Sequence, residues 1–268
     1  MSQEWFEGRL VVPDGTSLHY ARSPGAGPTW IYLHGLADSG AIWRRVAERM
    51  PGALDVVLLD SRNHGNSGGG LGGHENHVAD VISVIEELRV PEVILVGHSI
   101  GARTALGVGA CRPDLVSLMV LLDPPFMQGV TGATRDGQRV AARQTAASWS
   151  TSTPSQLFDL ARRQHPQWDE ADYPAWVESK LQVRAEAADD IGEVPWRDLA
   201  LRCDVEAVLV FGDEDLGGLV TGAIAEEFTR LARKSRSVRI PGCGHNMQRE
   251  NFEGTLDLLA GEWSRPRA

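Results

Sequence analysis

Residues Val93-Ile94-Leu95-Val96-Gly97-His98-Ser99-Ile100-Gly101 run directly into Ala102-Arg103-Thr104-Ala105-Leu106-Gly107-Val108. A β-rich apolar run that passes through Gly-x-Ser-x-Gly into a helical pattern predicts a strand, a sharp turn and a helix. Without β-carbons, Gly97 and Gly101 let the strand and the helix approach closely. Ser99 then stands on the turn, above the end of the sheet. The Ile100 amide opens the helix, where backbone N–H groups lack intrahelical partners and face a developing negative charge. Few folds accommodate such a turn, so it constrains the rest of the chain.

The flanking sequence fits it. Residues 9–12 and 17–21 surround Pro13-Asp14-Gly15-Thr16 and read as a hairpin. Residues 29–33, 56–59, 93–97 and 116–122 read as strands, with helical patterns between them. Ser39 is expected to cap a helix running to about Met50. In the helix predicted from about His74 to Arg89, Val78, Val81, Ile82, Ile85 and Leu88 recur at helical spacing. Such alternation predicts a parallel sheet with right-handed crossovers.

The alternation stops between residues 126 and 204, where no strand is legible. Helical stretches are predicted around 133–149, 154–164 and 171–190. A segment this long has structure of its own, and it is read as a helical cap inserted after the sixth strand. The core is then 1–125 and 205–268. Trp149, Trp168, Trp176 and Trp196 lie in the insertion. Their bland role is to pack the cap; their sharper role is to face a substrate. Strands resume at 205–211 and 238–240, and a final amphipathic helix covers about 251–263.

Composition narrows the partners. The formal net charge is −10, which disfavours a nucleic-acid partner. The three cysteines, Cys111, Cys203 and Cys243, form no C-x-x-C pair and predict neither a disulfide framework nor a zinc finger. No apolar run is long enough to span a bilayer, and residues 1–7 show no signal-peptide pattern, so a cytoplasmic location is expected.

A serine hydroxyl needs a base, and the base needs a group that fixes its tautomer. His245, in the glycine-rich stretch after the last strand, is the candidate base. Asp215, Asp213 and Asp123 all stand at strand ends and qualify as the acid. Ligands of open α/β sheets bind at that edge.

The chain resembles the α/β-hydrolase fold superfamily, of the capped serine esterase type. The resemblance rests on His34-Gly35, on Asp60-x-Arg62-Asn63-His64-Gly65-x-Ser67, on Gly97-His98-Ser99-Ile100-Gly101, on Gly212-x-x-Asp215 and on Gly244-His245, in this order. It implies a mostly parallel eight-stranded sheet with helices on both faces. It also implies Ser99 as nucleophile, His245 as base, Asp215 as acid, and the backbone N–H groups of Leu36 and Ile100 as oxyanion hole. Asp213 is the near alternative for the acid; Asp123 matches the position some members use instead. Most relatives have Gly where Asn63 stands, and Asn there leans toward plain ester hydrolysis. Arg103 replaces a small residue of many relatives and is expected to reach solvent or a salt bridge.

The expected function is hydrolysis of a small-molecule carboxylic ester through an acyl-enzyme on Ser99, with no cofactor and no metal. Lactone cleavage, C–C bond hydrolysis and cofactor-free perhydrolase or haloperoxidase chemistry use the same residues. A ligand-binding sensor, or a partner-binding protein with a vestigial site, is the reading from another class. Other features have bland readings. His34 shapes the oxyanion loop, His64 with Asp60 and Arg62 locks a turn, and His98 packs. His74-Glu75-Asn76-His77 begins a helix, and Gly68 to Gly73 is a loop.

Overall fold

The computed structural model describes residues 4–90, 92–126 and 132–265. β1 (Phe6–Val11) and β2 (Ser17–Ser23) form the expected antiparallel hairpin. Gly15 turns it at φ +89°, a conformation that costs glycine little. The chain continues through β3 (Ala26–Leu33), α1 (Arg44–Arg49), β4 (Leu54–Leu59), α2 (His74–Leu88), β5 (Val93–His98), α3 (Ile100–Cys111) and β6 (Val116–Leu122). After the insertion come β7 (Glu206–Phe211), α8 (Gly222–Leu231), β8 (Ser235–Arg239), α9 (Met247–Glu250) and α10 (Phe252–Ser264). The eight strands make one sheet in the order β1-β2-β4-β3-β5-β6-β7-β8. β2 runs antiparallel to β4, and every pairing from β4 to β8 is parallel.

Successive strand residues point to opposite faces. Ile31, Leu33, Val57, Leu59 and Leu95 pack with α2, α3 and α8. Trp30, Tyr32, Val56, Leu58 and Val96 pack with α1 and α10 on the other face. Central strands covered on both sides must be apolar throughout, which is why β4 and β5 are buried at every residue.

The insertion contains α4 (Gly132–Ser150), α5 (Pro154–Gln164), α6 (Tyr173–Gln182), a 3₁₀ turn over Ala185–Asp190 and α7 (Trp196–Arg202). Thr153 caps α5 in a capping box with Gln156. The helix expected over 171–190 is broken, since α6 ends at Gln182 with Val183 extended. Leu157, Ala161, Trp168, Tyr173, Trp176 and Val177 form a small core of their own. α7 behaves differently. Trp196 is buried in the sheet's cluster and stacks on Phe126, with ring centroids 4.6 Å apart.

Ser39 does not cap a helix. A 3₁₀ turn over Gly40–Trp43 precedes α1, and the Ser39 hydroxyl lies 2.8 Å from that of Ser179 on α6. No helix among the described residues is long and apolar enough to cross a membrane.

Candidate active site

The turn after β5 is as tight as the glycines require. A Cβ on Gly97 would lie 2.4 Å from the Gly101 carbonyl oxygen, and one on Gly101 would lie 2.4 Å from that of Leu33. Ser99 sits at φ 54°, ψ −119°, a conformation L-residues rarely adopt. Its backbone is held on both sides: its N–H donates to Leu122 O at 2.9 Å, and its carbonyl accepts from Ala102 N at 3.0 Å and Arg103 N at 3.2 Å. Strain of this kind persists only where the surroundings over-determine it, and here two strands and a helix do so.

His245 follows β8. Its Nδ1 lies 2.6 Å from Asp123 Oδ2. Asp123, fully buried at the end of β6, also accepts from Leu219 N at 2.9 Å and Val220 N at 2.9 Å. The structure therefore corrects the choice of acidic residue beside His245, which is Asp123 and not Asp215. Asp215 lies exposed in a 3₁₀ turn over Glu214–Leu216. Asp213 is occupied elsewhere, accepting from Arg239 Nε at 2.7 Å and Gly242 N at 2.8 Å. The segment after β7 turns its Leu219 and Val220 amides onto Asp123 and leaves Asp215 facing water. A carboxylate that accepts from two backbone amides and His245 is held in one orientation.

His98 does more than pack. Its Nε2 donates to the His245 carbonyl at 2.8 Å, and Gln248 Nε2 approaches its Nδ1 at 3.4 Å. Burial pushes its pKa down to about 3, so the ring is neutral and the tautomer that donates from Nε2 is the one present. His98 thus ties the loop carrying His245 to the residue preceding Ser99. Sequence reading missed this because nothing in Gly-His-Ser marks which loop the ring reaches.

His34 is fastened into the loop that follows β3. Its Nδ1 donates to Gly35 O at 2.8 Å and its Nε2 accepts from Ser61 N at 3.0 Å, and burial lowers its pKa. Asp60 anchors the neighbouring turn through Gly40 N at 2.7 Å and Asn66 N at 2.9 Å. Arg62 is buried in a two-pronged pair with Asp80, and His64 Nδ1 donates to Arg62 O at 2.9 Å. Asn63 has φ +67°, and its side chain closes a ring with both backbone groups of Gly70. Asn tolerates this left-handed backbone, and its side chain fastens the turn.

Arg103 points neither to solvent nor to a carboxylate. It is buried, donating from Nη1 to Gly192 O at 2.7 Å and from Nη2 to Asp190 O at 2.8 Å. Burial pushes its guanidinium down to about 10. The helix that carries Ser99 at its start thereby holds the segment 190–192.

Two cavities meet at Ser99. One, of about 170 Å³, is lined by Leu36, Ser99, Ile100, Pro125 and Ile191 and by two oppositely charged sets, Arg103 and Arg135 with Asp190 and Glu193. The other, of about 270 Å³, is lined by Ser99, His245, Trp168, Trp176, Lys180 and Arg249 among others. Trp168 and Trp176 therefore face the site, while Trp196 belongs to the core. Leu36 and Ile100 flank Ser99, and Ile100 is the first residue of α3, where a helix leaves its N–H groups without intrahelical carbonyls. Among the described residues, no group of three His, Cys, Asp or Glu side chains is arranged to hold a metal ion.

Known proteins share this fold. The 2-(acetamidomethylene)succinate hydrolase of Mesorhizobium japonicum is 27% identical over 260 residues, covering 89% of this chain and 88% of that one. The N-formylmaleamate deformylase of Pseudomonas putida is 33% identical over 121 residues, covering 44% of this chain and 45% of that one. Among solved structures, E-2-(acetamidomethylene)succinate hydrolase superposes with a TM-score of 0.82 at 19% identity, over 98% of this chain and 100% of that one. The enol-lactonase from Burkholderia xenovorans superposes with a TM-score of 0.76 at 20% identity, over 96% of this chain and 100% of that one. Residues 30–258 match the model of the alpha/beta hydrolase family, and this chain, with its eight-stranded sheet and the serine turn at Ser99, belongs to that family.

Proposed function

We propose that this hydrolase cleaves carboxylic esters with small acyl groups through an acyl-enzyme on Ser99, with His245 as base and Asp123 as acid. The observation that carries the reading is the 2.6 Å contact between His245 Nδ1 and Asp123 Oδ2, beside a serine held at φ 54°. With its proton on Nδ1, the imidazole presents an unprotonated Nε2 to the serine hydroxyl. Ser99 Oγ attacks the acyl carbon as its proton passes to Nε2. The carbonyl oxygen becomes an oxyanion facing the Leu36 and Ile100 amides. Collapse expels the alcohol, which takes the proton from Nε2. Water, deprotonated by the same nitrogen, then releases the acid and regenerates Ser99.

The apolar lining of the 170 Å³ cavity supports a short acyl chain. In this reading the segment 132–193 is a cap that closes the site and excludes water. The same chemistry cleaves an activated amide if the leaving nitrogen is protonated by His245. The relative matched over 89% of the chain, a 2-(acetamidomethylene)succinate hydrolase, favours that second reading.

The test is hydrolysis of p-nitrophenyl acetate, butyrate and octanoate by the wild type and by Ser99→Ala, with labelling by a serine-reactive fluorophosphonate. Turnover falling from acetate to octanoate, and turnover and label both lost in Ser99→Ala, are expected. Turnover that survives in Ser99→Ala would exclude Ser99 as the nucleophile.

A further inference from the structure

Lys180 and Arg249 line the cavity shared by Ser99 and His245, and both are buried. One carboxylate answers them. Asp38 Oδ1 accepts from Lys180 Nζ at 3.0 Å and from Arg249 Nη2 at 3.1 Å. Burial alone would raise the Asp38 carboxyl, yet the two cations hold it far below the ordinary carboxylate range. The next acid, Asp172, is engaged by Arg45 at 2.8 Å, and Arg45 also holds Asp169. His165, stacked on Trp168, is a neutral wall: burial lowers its pKa, and Arg249 and Lys180 lower it further.

The cavity wall thus carries two cations and one anion. Aromatic faces soften the imbalance without cancelling it: Lys180 Nζ lies 4.9 Å from the Trp176 ring and 5.4 Å from Trp149, and Arg249 lies 4.7 Å from Trp168. Arg249 also lies in the field of Asp172, which Arg45 holds, so the excess is confined to the cavity wall, where an anionic ligand would meet two cations against one carboxylate. The other cavity offers no such excess. There Arg135 is paired with Glu193 at 2.9 Å, and Arg103, whose terminal nitrogens donate to carbonyls, lies in the field of Asp190.

Which half of the substrate carries the anion follows from the direction of proton transfer. The departing atom takes its proton from His245, so the leaving half occupies the cavity that His245 lines. We propose that Lys180 and Arg249 form a subsite for a carboxylate on the leaving-group half of the substrate, with the acyl half in the opposite, apolar cavity. This rests on the reading of Ser99 and His245 as catalytic. It narrows the substrate class to acyl derivatives of carboxylated alcohols or amines. Lys180 also donates to Ala37 O at 2.7 Å, beside the Leu36 amide, so a purely structural role must be separated experimentally.

The experiment compares 4-acetoxybenzoate with 4-acetoxybenzamide, each corrected for its rate in buffer. In the wild type, kcat/KM should favour the carboxylate at least tenfold, chiefly through KM. In Lys180→Met and Arg249→Met the ratio should fall toward one. A structural role would lower both substrates together and leave the ratio unchanged, and that result overturns the subsite. Should a variant not fold, inhibition of the wild type decides. Benzoate should compete with p-nitrophenyl acetate at least tenfold better than benzamide does, and equal inhibition overturns the proposal. Fluorophosphonate labelling of the same samples separates the two levels. Labelled wild type with a ratio near one removes the subsite alone, and unlabelled wild type removes the catalytic reading beneath it.

Discussion

Replacing Asp123 by Asn is the sharpest test of the acid, because it leaves shape and volume nearly unchanged. The Leu219 and Val220 amides donate to Asp123 Oδ1 at 3.1 and 2.9 Å, so the Asn carbonyl oxygen is expected to take that position as acceptor. That orientation turns the Asn NH₂ toward His245 Nδ1, which now lies 2.6 Å from Asp123 Oδ2. Two donors cannot face each other, so the imidazole must hold its proton on Nε2, where it cannot accept from Ser99. In serine proteases with a Ser-His-Asp triad, the equivalent change lowers kcat by about 10⁴. A comparable loss is expected here, about 5 kcal/mol of transition-state stabilisation. Asp215→Asn, in an exposed turn, should stay within about twofold of wild type, as surface substitutions away from a site do. The assay is p-nitrophenyl acetate hydrolysis by both variants, with thermal unfolding to show that each is folded. An inactive Asp215→Asn beside an active Asp123→Asn would refute the reasoning and restore Asp215 as the acid.

Three further outcomes follow from the same geometry. Gly101→Ala should abolish soluble folded protein, because its Cβ meets the Leu33 carbonyl oxygen at 2.4 Å, whereas Gly261→Ala, in α10 with nothing within 4 Å, should stabilise by about 0.5–1 kcal/mol in a denaturant titration. Arg103→Met should leave the carbonyls of Asp190 and Gly192 unanswered, destabilise by about 2 kcal/mol and raise KM, read by thermal scanning and steady-state kinetics; an unchanged melting temperature would show that the clamp is idle. His19 lies between Asp60 at 2.8 Å and Glu7 at 2.9 Å, and its hydrogen bond to Asp60 raises its pKa in the fold. A raised pKa stabilises fully below the unfolded value near 6.5 and is lost as pH climbs through the folded one. His19→Gln should therefore lower the melting temperature more at pH 6 than at pH 9, and an equal drop at both would remove the charge from the account.

Much of the fold was legible because local rules suffice for it. The eight strands, the helices between them and the turn at Ser99 follow from apolar runs and glycine positions, each decided within a few residues. The loop at His34 and the turn from Asp60 to Ser67 were legible as residue patterns; Asn66 N and the Ser67 hydroxyl close the turn locally on Asp60, while its reach to Gly40, His19 and Asp80 was not legible. Asn63 takes the left-handed position of that turn, at φ +67°.

What only the tertiary structure decided lies in contacts between distant segments. Asp215, Asp213 and Asp123 are equivalent as strand-end carboxylates, and periodicity cannot rank them. The choice depends on β6 lying beside β7 and on how 212–220 folds back to present two amides to a buried Asp123. His98, Arg103, Lys180 and Arg249 act through partners 87 to 211 residues away in the chain, at His245, Asp190, Asp38 and Ala37. The sequence by itself determined that a serine would be held at the mouth of a parallel sheet, because glycine sterics and apolar runs act over a few residues. Which carboxylate meets its histidine, and which charges line its cavity, waited for the packed chain, because burial and pairing are properties of neighbours in space.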